Sequence, residues 1–242
     1  MGPDPSSWSW NVEALVAIPA MTAAYVLALR RYPAPRWRVV CFAAAAVLLL
    51  AVTITPLETI ALEYLLSIHL LQNVVLAEWA PALLVLAFPP ALAARLPRIA
   101  PVPALLLWVV NYGVWHVPWL YDLALRNPHT LLHLEHALYF ATGILLWWPI
   151  VHGRHSPGLK AGYLFAAFAL ASPIGLLLAL IPEPLYDFYV EAPRELWGLS
   201  PLVDQQIAGV TMSLEQAAVF FAAFALFFAR FLREQDAVQA AE

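Results

Sequence analysis

Residues 129–151 read HTLLHLEHALYFATGILLWWPIV. His129, His133 and His136 stand at offsets of four and seven, and at about 100° per residue these return to nearly one direction on an α-helix. From Ala137 onward the same stretch turns apolar, so the imidazole stripe stands at the mouth of a membrane-crossing helix. Imidazoles grouped in this way suit a bound metal ion or a haem.

Composition supports a lipid setting for the whole chain. Of 242 residues, 63% are hydrophobic and 12% charged, with mean hydropathy +0.75. A soluble domain carries about 25% charged residues, so most of this polypeptide is solvated by lipid or by its own helices. Apolar segments of crossing length fall at 11–31, 37–55, 63–88, 104–121, 130–151, 160–181 and 204–232. The sequence therefore predicts an all-α, polytopic bundle of seven transmembrane helices forming one domain over 1–242. No internal repeat or low-complexity tract divides it.

If the seven spans alternate, ten of the twelve Lys and Arg residues fall on one side: Arg30, Arg31, Arg36, Arg38, Arg95, Arg98, Arg154, Lys160, Arg230 and Arg233. Only Arg126 and Arg194 fall on the other. The rule for positive cytoplasmic loops then places the N-terminus outside and the C-terminus in the cytoplasm. The outer loop carrying Glu183, Asp187, Glu191 and Glu195 agrees, although acids weigh little in that rule. The net charge of −4 gives no sign of nucleic-acid binding. The opening MGPDPSSWSWN has no basic residue before the first apolar run, which argues against a cleaved signal peptide. The residues after Arg233 read as a short solvated end.

Pro19, Pro81, Pro118, Pro149 and Pro173 interrupt apolar runs, each freeing a backbone carbonyl that a neighbouring helix or cavity must satisfy. Kinked helices around a polar centre follow. The single Cys41 allows neither an intramolecular disulfide nor a paired-thiolate metal motif. The connection 182–203, with Tyr186, Phe188, Tyr189 and Trp197 among acids, reads first as a segment at headgroup level, and alternatively as a lid over the outer mouth.

Polar groups inside the spans cost free energy and mark the site. In EYLLSIHLLQN, His69 lies about 9 Å below the start of its span, with Asn73 one turn further. His116 sits at the outer end of span four, close in height to His129, and span seven opens on Asp204, Gln205 and Gln206, with Thr211 and Glu215 in the Asp204 direction. Five of the seven histidines thus fall in the outer half. Glu135 points about 100° from His136, as a partner to an imidazole N–H or as a neutral acid bonded to a neighbouring helix. Glu78 reads as a structural acid, and His152 and His155 as loop residues on the cytoplasmic side.

A nitrogen-rich site without thiolate suits copper, zinc or iron. With only Met1, Met21 and Met212, the chain lacks the thioether ladder of a dedicated copper conduit. There is no GxSxG, HExxH, Walker or Gly-rich dinucleotide sequence, so a non-enzymatic role is expected. The competing readings are a zinc-dependent intramembrane hydrolase with Asp204 or Glu215 as base, a b-type haem protein, and a metal-free scaffold.

SIHLLQNVVLAEWAPALLVLAFPP, WHVPWLYDLAL, LLHLEHALYFATGILLWWPI and DQQIAGVTM, in this order, resemble the CtaG family of bacterial membrane proteins. That resemblance implies a chaperone-like factor for assembly of haem-copper cytochrome c oxidase that binds copper and passes it to an oxidase subunit. It also implies His69, His116, His133, His136 and Asp204 as the metal site, to which the stripe adds His129. The family usually places a second histidine four residues after the first. This chain has Asn73 there, and an amide oxygen is a poor copper ligand beside imidazole.

Overall fold

A computed structural model describes residues 3–192 and 196–239. Met1, Arg194 and Glu195, used above, lie outside the described residues. Regular structure is helical throughout, with no strand among the described residues.

Helix α1 (Val12–Arg31) starts where the Asn11 side chain accepts from the Ala14 N–H, and α2 (Arg36–Ile54) follows a short turn. Thr55 caps α3 (Pro56–Glu63) through its hydroxyl, with Pro56 at the first position, where a missing N–H costs nothing. The chain then turns at Tyr64 and enters α4 (Leu66–Ala87), which contains a π-helical stretch at Val75–Trp79. After α5 (Pro90–Ala93) come α6 (Pro101–Trp115) and α7 (Pro118–Leu125). Pro118 forces Val117 into extended backbone, which separates those two helices and leaves His116 at the end of α6. Helix α8 (Pro128–Val151) opens with a second π-helical turn at Pro128–Leu132. Then follow α9 (Pro157–Leu180), capped by the Ser156 hydroxyl, the short α10 (Asp187–Val190) and the long α11 (Pro201–Gln239).

Six helices, α1, α2, α4, α8, α9 and α11, are long and apolar enough to cross a membrane. The expected fourth span is the apolar α6, whose 15 residues rise only about 22 Å. The residues after Arg233 are exposed, as expected of a solvated end, and continue α11 as far as Gln239.

Helix α4 is the axis of the bundle, the most buried of the six, packed on α2, α8 and α11. Pro81 has no N–H to give the Ala77 carbonyl, and α8 closes on that point through Gly143, where any Cβ would collide with the Ala77 oxygen. That close crossing holds the middle of α8 against α4. Gly175 and Gly209 give α9 and α11 a similar backbone approach, since a Cβ on Gly209 would meet the Gly175 carbonyl and the Ala179 nitrogen.

Candidate functional site

The expected histidines separate into an inner group and an outer one. His69 on α4 and His136 on α8 have ring centres 6.0 Å apart, nearly perpendicular. Tyr121 of α7 stands between His69 and His116, its ring 5.3 Å from the first and 6.2 Å from the second. His69 and His116 are both buried. The Nε2 atoms of His69, His116 and His136 are sealed from solvent and meet no hydrogen-bond partner.

The hydrogen-bond partners fix two of the tautomers. His69 Nδ1 lies 2.7 Å from the Tyr189 hydroxyl, which itself donates to the Ala61 carbonyl at 2.6 Å. The one phenolic proton is thereby used, so Nδ1 of His69 carries the proton it shares with Tyr189, and Nε2 is left as a bare lone pair. His116 Nδ1 faces the Tyr112 carbonyl at 2.8 Å, an acceptor only, so its Nε2 is a lone pair too. Unpaired buried acceptors of this kind are costly in an apolar interior. They are also the ligating form of imidazole, oriented by the partner on the other nitrogen.

His129 and His133 lie elsewhere. Their rings are 6.1 Å apart, and His133 Nδ1 is 3.5 Å from the Glu13 carboxylate of α1. The π-helical turn at Pro128–Leu132 breaks the regular 100° step between His129 and His133, and His133 and His136, three residues apart on the regular helix that follows, point about 60° apart around it. Both line a cavity of about 270 Å³ between the N-terminal segment and the start of α8, and His136 reaches its wall. Among the described residues, no three His, Cys, Asp or Glu side chains group closely enough to hold one ion.

Asp204 does not face the rings. Its two carboxylate oxygens accept the backbone N–H groups of Leu66 at 2.6 Å and Ser67 at 3.2 Å, capping α4 from another helix. Leu65, at the cap position itself, offers no side-chain bond, so Asp204 supplies the missing acceptor and complements the helix dipole. Since His69 follows three residues later, this anchor positions the ring.

Asn73 occupies the turn after His69 and donates to Glu135 at 3.2 Å. Glu135 is thus an acid bonded to the neighbouring helix. Further down α4, Glu78 accepts from Gln216, which also bonds the Tyr112 hydroxyl at 2.8 Å, and Glu215 accepts from Trp79 at 2.5 Å. These groups form a separate buried network between α4, α6 and α11.

The connection after α9 covers the site. Asp122 of α7 accepts the N–H groups of Asp187 and Phe188, both at 3.1 Å, and Arg126 pairs with Glu191 at 2.6 Å. Burial raises the Asp122 pKa, while the two amide donors act in the opposite sense. So anchored, Tyr186 and Tyr189 point inward and are buried. Of the two sequence readings of this connection, the covering one describes Tyr186 and Tyr189, whereas Trp197 is exposed. On α3, Glu58 accepts from Asn11 at 3.2 Å and Gln72 at 2.7 Å, and burial pushes its carboxyl up to about 7 against both bonds.

The residues that sequence reasoning missed are the tyrosines Tyr112, Tyr121 and Tyr139, the last with its hydroxyl 3.4 Å from His116 Nδ1, and the bond of Tyr189 to His69, Tyr189 having been read as an interfacial aromatic or part of a lid. Their signal was faint, a tyrosine in each segment adjoining a histidine-bearing span.

The family model described as cytochrome c oxidase caa3 assembly factor (Caa3_CtaG) matches residues 23–234. No curated protein and no solved structure matches the chain. With nearly the whole chain matched, including every buried imidazole above, the protein belongs to the caa3-type cytochrome c oxidase assembly-factor family.

Proposed function

We propose that this chain is a non-catalytic membrane factor that carries copper as cargo for a haem-copper cytochrome c oxidase. The ion is held between His69 and His136, with His116 across Tyr121, and passes to an oxidase subunit. The observation that carries this reading is the set of three buried Nε2 atoms without partners, two of them held as lone pairs by bonds on the opposite ring nitrogen. Two imidazoles on one ion, at about 2.0 Å per metal–nitrogen bond, place their ring centres roughly 6 Å apart. The His69 and His136 rings have that separation.

A pair of nitrogen donors is few for zinc, which takes three or four protein ligands, and sufficient for monovalent copper, which accepts two. The cavity beside Glu13, His129 and His133 gives an approach to His136 from the aqueous end. Tyr189 and Asp204 do no chemistry on the ion; they hold His69.

In the same reading α6 completes seven crossings, with the N-terminus outside and the site under the outer leaflet of the bacterial cell membrane. The concentration of ten of twelve basic residues at the opposite end supports this. The test is made in a host deleted for the gene: the oxidase should then assemble with less copper, wild type should restore it and His69→Ala should not. Full copper content in the deleted host would refute the proposal.

A further inference from the structure

We infer that the end of the bundle opposite the histidines carries a binding site for the headgroup of an anionic phospholipid, in the cleft between the segment after α5 and the end of α8. A cavity of about 360 Å³ lies there, and its lining combines Arg98, Arg154 and His155 with Leu96, Ile99 and Trp148.

The charge in this cleft is uncompensated. Neighbouring cations are engaged elsewhere: Arg38 donates to the carbonyls of Leu86 and Phe88, Arg31 and Arg95 lie over the Tyr32 ring, and Lys160 and Arg230 over Phe227. Arg98 and Arg154 have no carboxylate, carbonyl or ring partner among the described residues. Neither 89–103 nor 152–160 contains an acid. The positive end of the α6 dipole opens onto the same cleft, although Pro101 and Pro103 remove two of its N–H donors.

The charged and apolar lining residues together select the ligand. Two free guanidinium groups match a phosphodiester, with the fork geometry that suits phosphate oxygens. Leu96, Ile99 and Trp148 offer an apolar flank to glycerol and the first acyl carbons, and an indole at this level is typical of a membrane interface. Free phosphate would use only the charged residues. His152, at the end of α8, is tied to the Val85 carbonyl at 2.9 Å and packed on Trp148, with ring centres 4.7 Å apart. It therefore forms a fixed floor.

The experiment is native mass spectrometry of the full chain released from detergent, with equal amounts of phosphatidylglycerol and phosphatidylcholine of the same acyl chains. One phosphatidylglycerol should be retained in preference. Arg98→Gln with Arg154→Gln should lower that affinity about thirtyfold, at about 1 kcal/mol per basic residue. Arg36→Gln with Arg233→Gln, outside the cleft on the same end, should leave it unchanged. Equal loss in both double variants would mean diffuse charge and overturn the site. Complete displacement of the lipid by inorganic phosphate alone would overturn the lipid as its ligand.

Discussion

The Tyr189 hydroxyl lies 2.7 Å from His69 Nδ1 and 2.6 Å from the Ala61 carbonyl oxygen. A residue from the connection after α9 thereby sets the tautomer of an imidazole on α4. In Tyr189→Phe the Nδ1 proton has no acceptor, the ring can turn, and Nε2 is no longer held as the free donor. Copper affinity, measured by competition with a chromogenic chelator, should fall about tenfold to a hundredfold while helicity and thermal unfolding stay near wild type. Unchanged affinity would mean that Tyr189 does not position His69.

Asp204→Ala removes the side-chain acceptor of the Leu66 and Ser67 N–H groups at the start of α4 and leaves two amide groups unpaired in an apolar setting. A loss of about 1–2 kcal/mol is expected, seen as a lower unfolding temperature in detergent, with copper affinity falling as His69 shifts. If Asp204 were a ligand instead, Asp204→Ala would abolish binding while leaving the unfolding temperature unchanged.

Gly143→Leu should be the most damaging single change on α8. Its side chain cannot fit against the Ala77 carbonyl and Pro81, so α8 must move off α4 and separate His136 from His69. Overpacking of this type costs about 1–3 kcal/mol. Copper binding should be lost together with stability, whereas Gly162→Leu, at a position facing open space, should change neither.

Glu58 gives the protein a pH dependence. Burial raises its folded carboxyl from 4.5 to about 7, so between these values the native state holds a proton that the unfolded chain has released. The stability it contributes is full below about 4.5 and is lost as pH rises through 7. The unfolding temperature should therefore decline from pH 5 to pH 8, and Glu58→Gln should flatten that decline. An unaltered slope in the variant would assign the dependence elsewhere.

The helices were legible because length and hydropathy are local properties, and His69, His116 and His136 were legible because a histidine at depth in an apolar run has few inexpensive explanations. What was hidden depends on contacts distant in sequence. Asp204 caps a helix that begins 138 residues earlier, and the same carboxylate read from its own span looks like part of the metal site. Tyr189 becomes a buried partner only because Asp122 and Arg126 draw its segment over the bundle. A regular 3.6-residue period carried back to His129 crosses a π-helical turn, where it does not hold, while His133 stands three residues before His136, about 60° around the same regular helix, and faces Glu13 of α1 instead. The shortness of α6 follows from Pro118, whose effect on Val117 was foreseeable as a kink but not as a full break.

The central claim is that one copper ion is bound by His69 and His136. Copper stoichiometry and X-ray absorption on the purified chain after loading and desalting test it most directly. The account predicts one copper per chain with nitrogen ligation, lost in His69→Ala and in His136→Ala and kept in His129→Ala with His133→Ala. A wild-type chain that retains no copper, or one whose copper survives both inner substitutions and disappears with the outer pair, would contradict it.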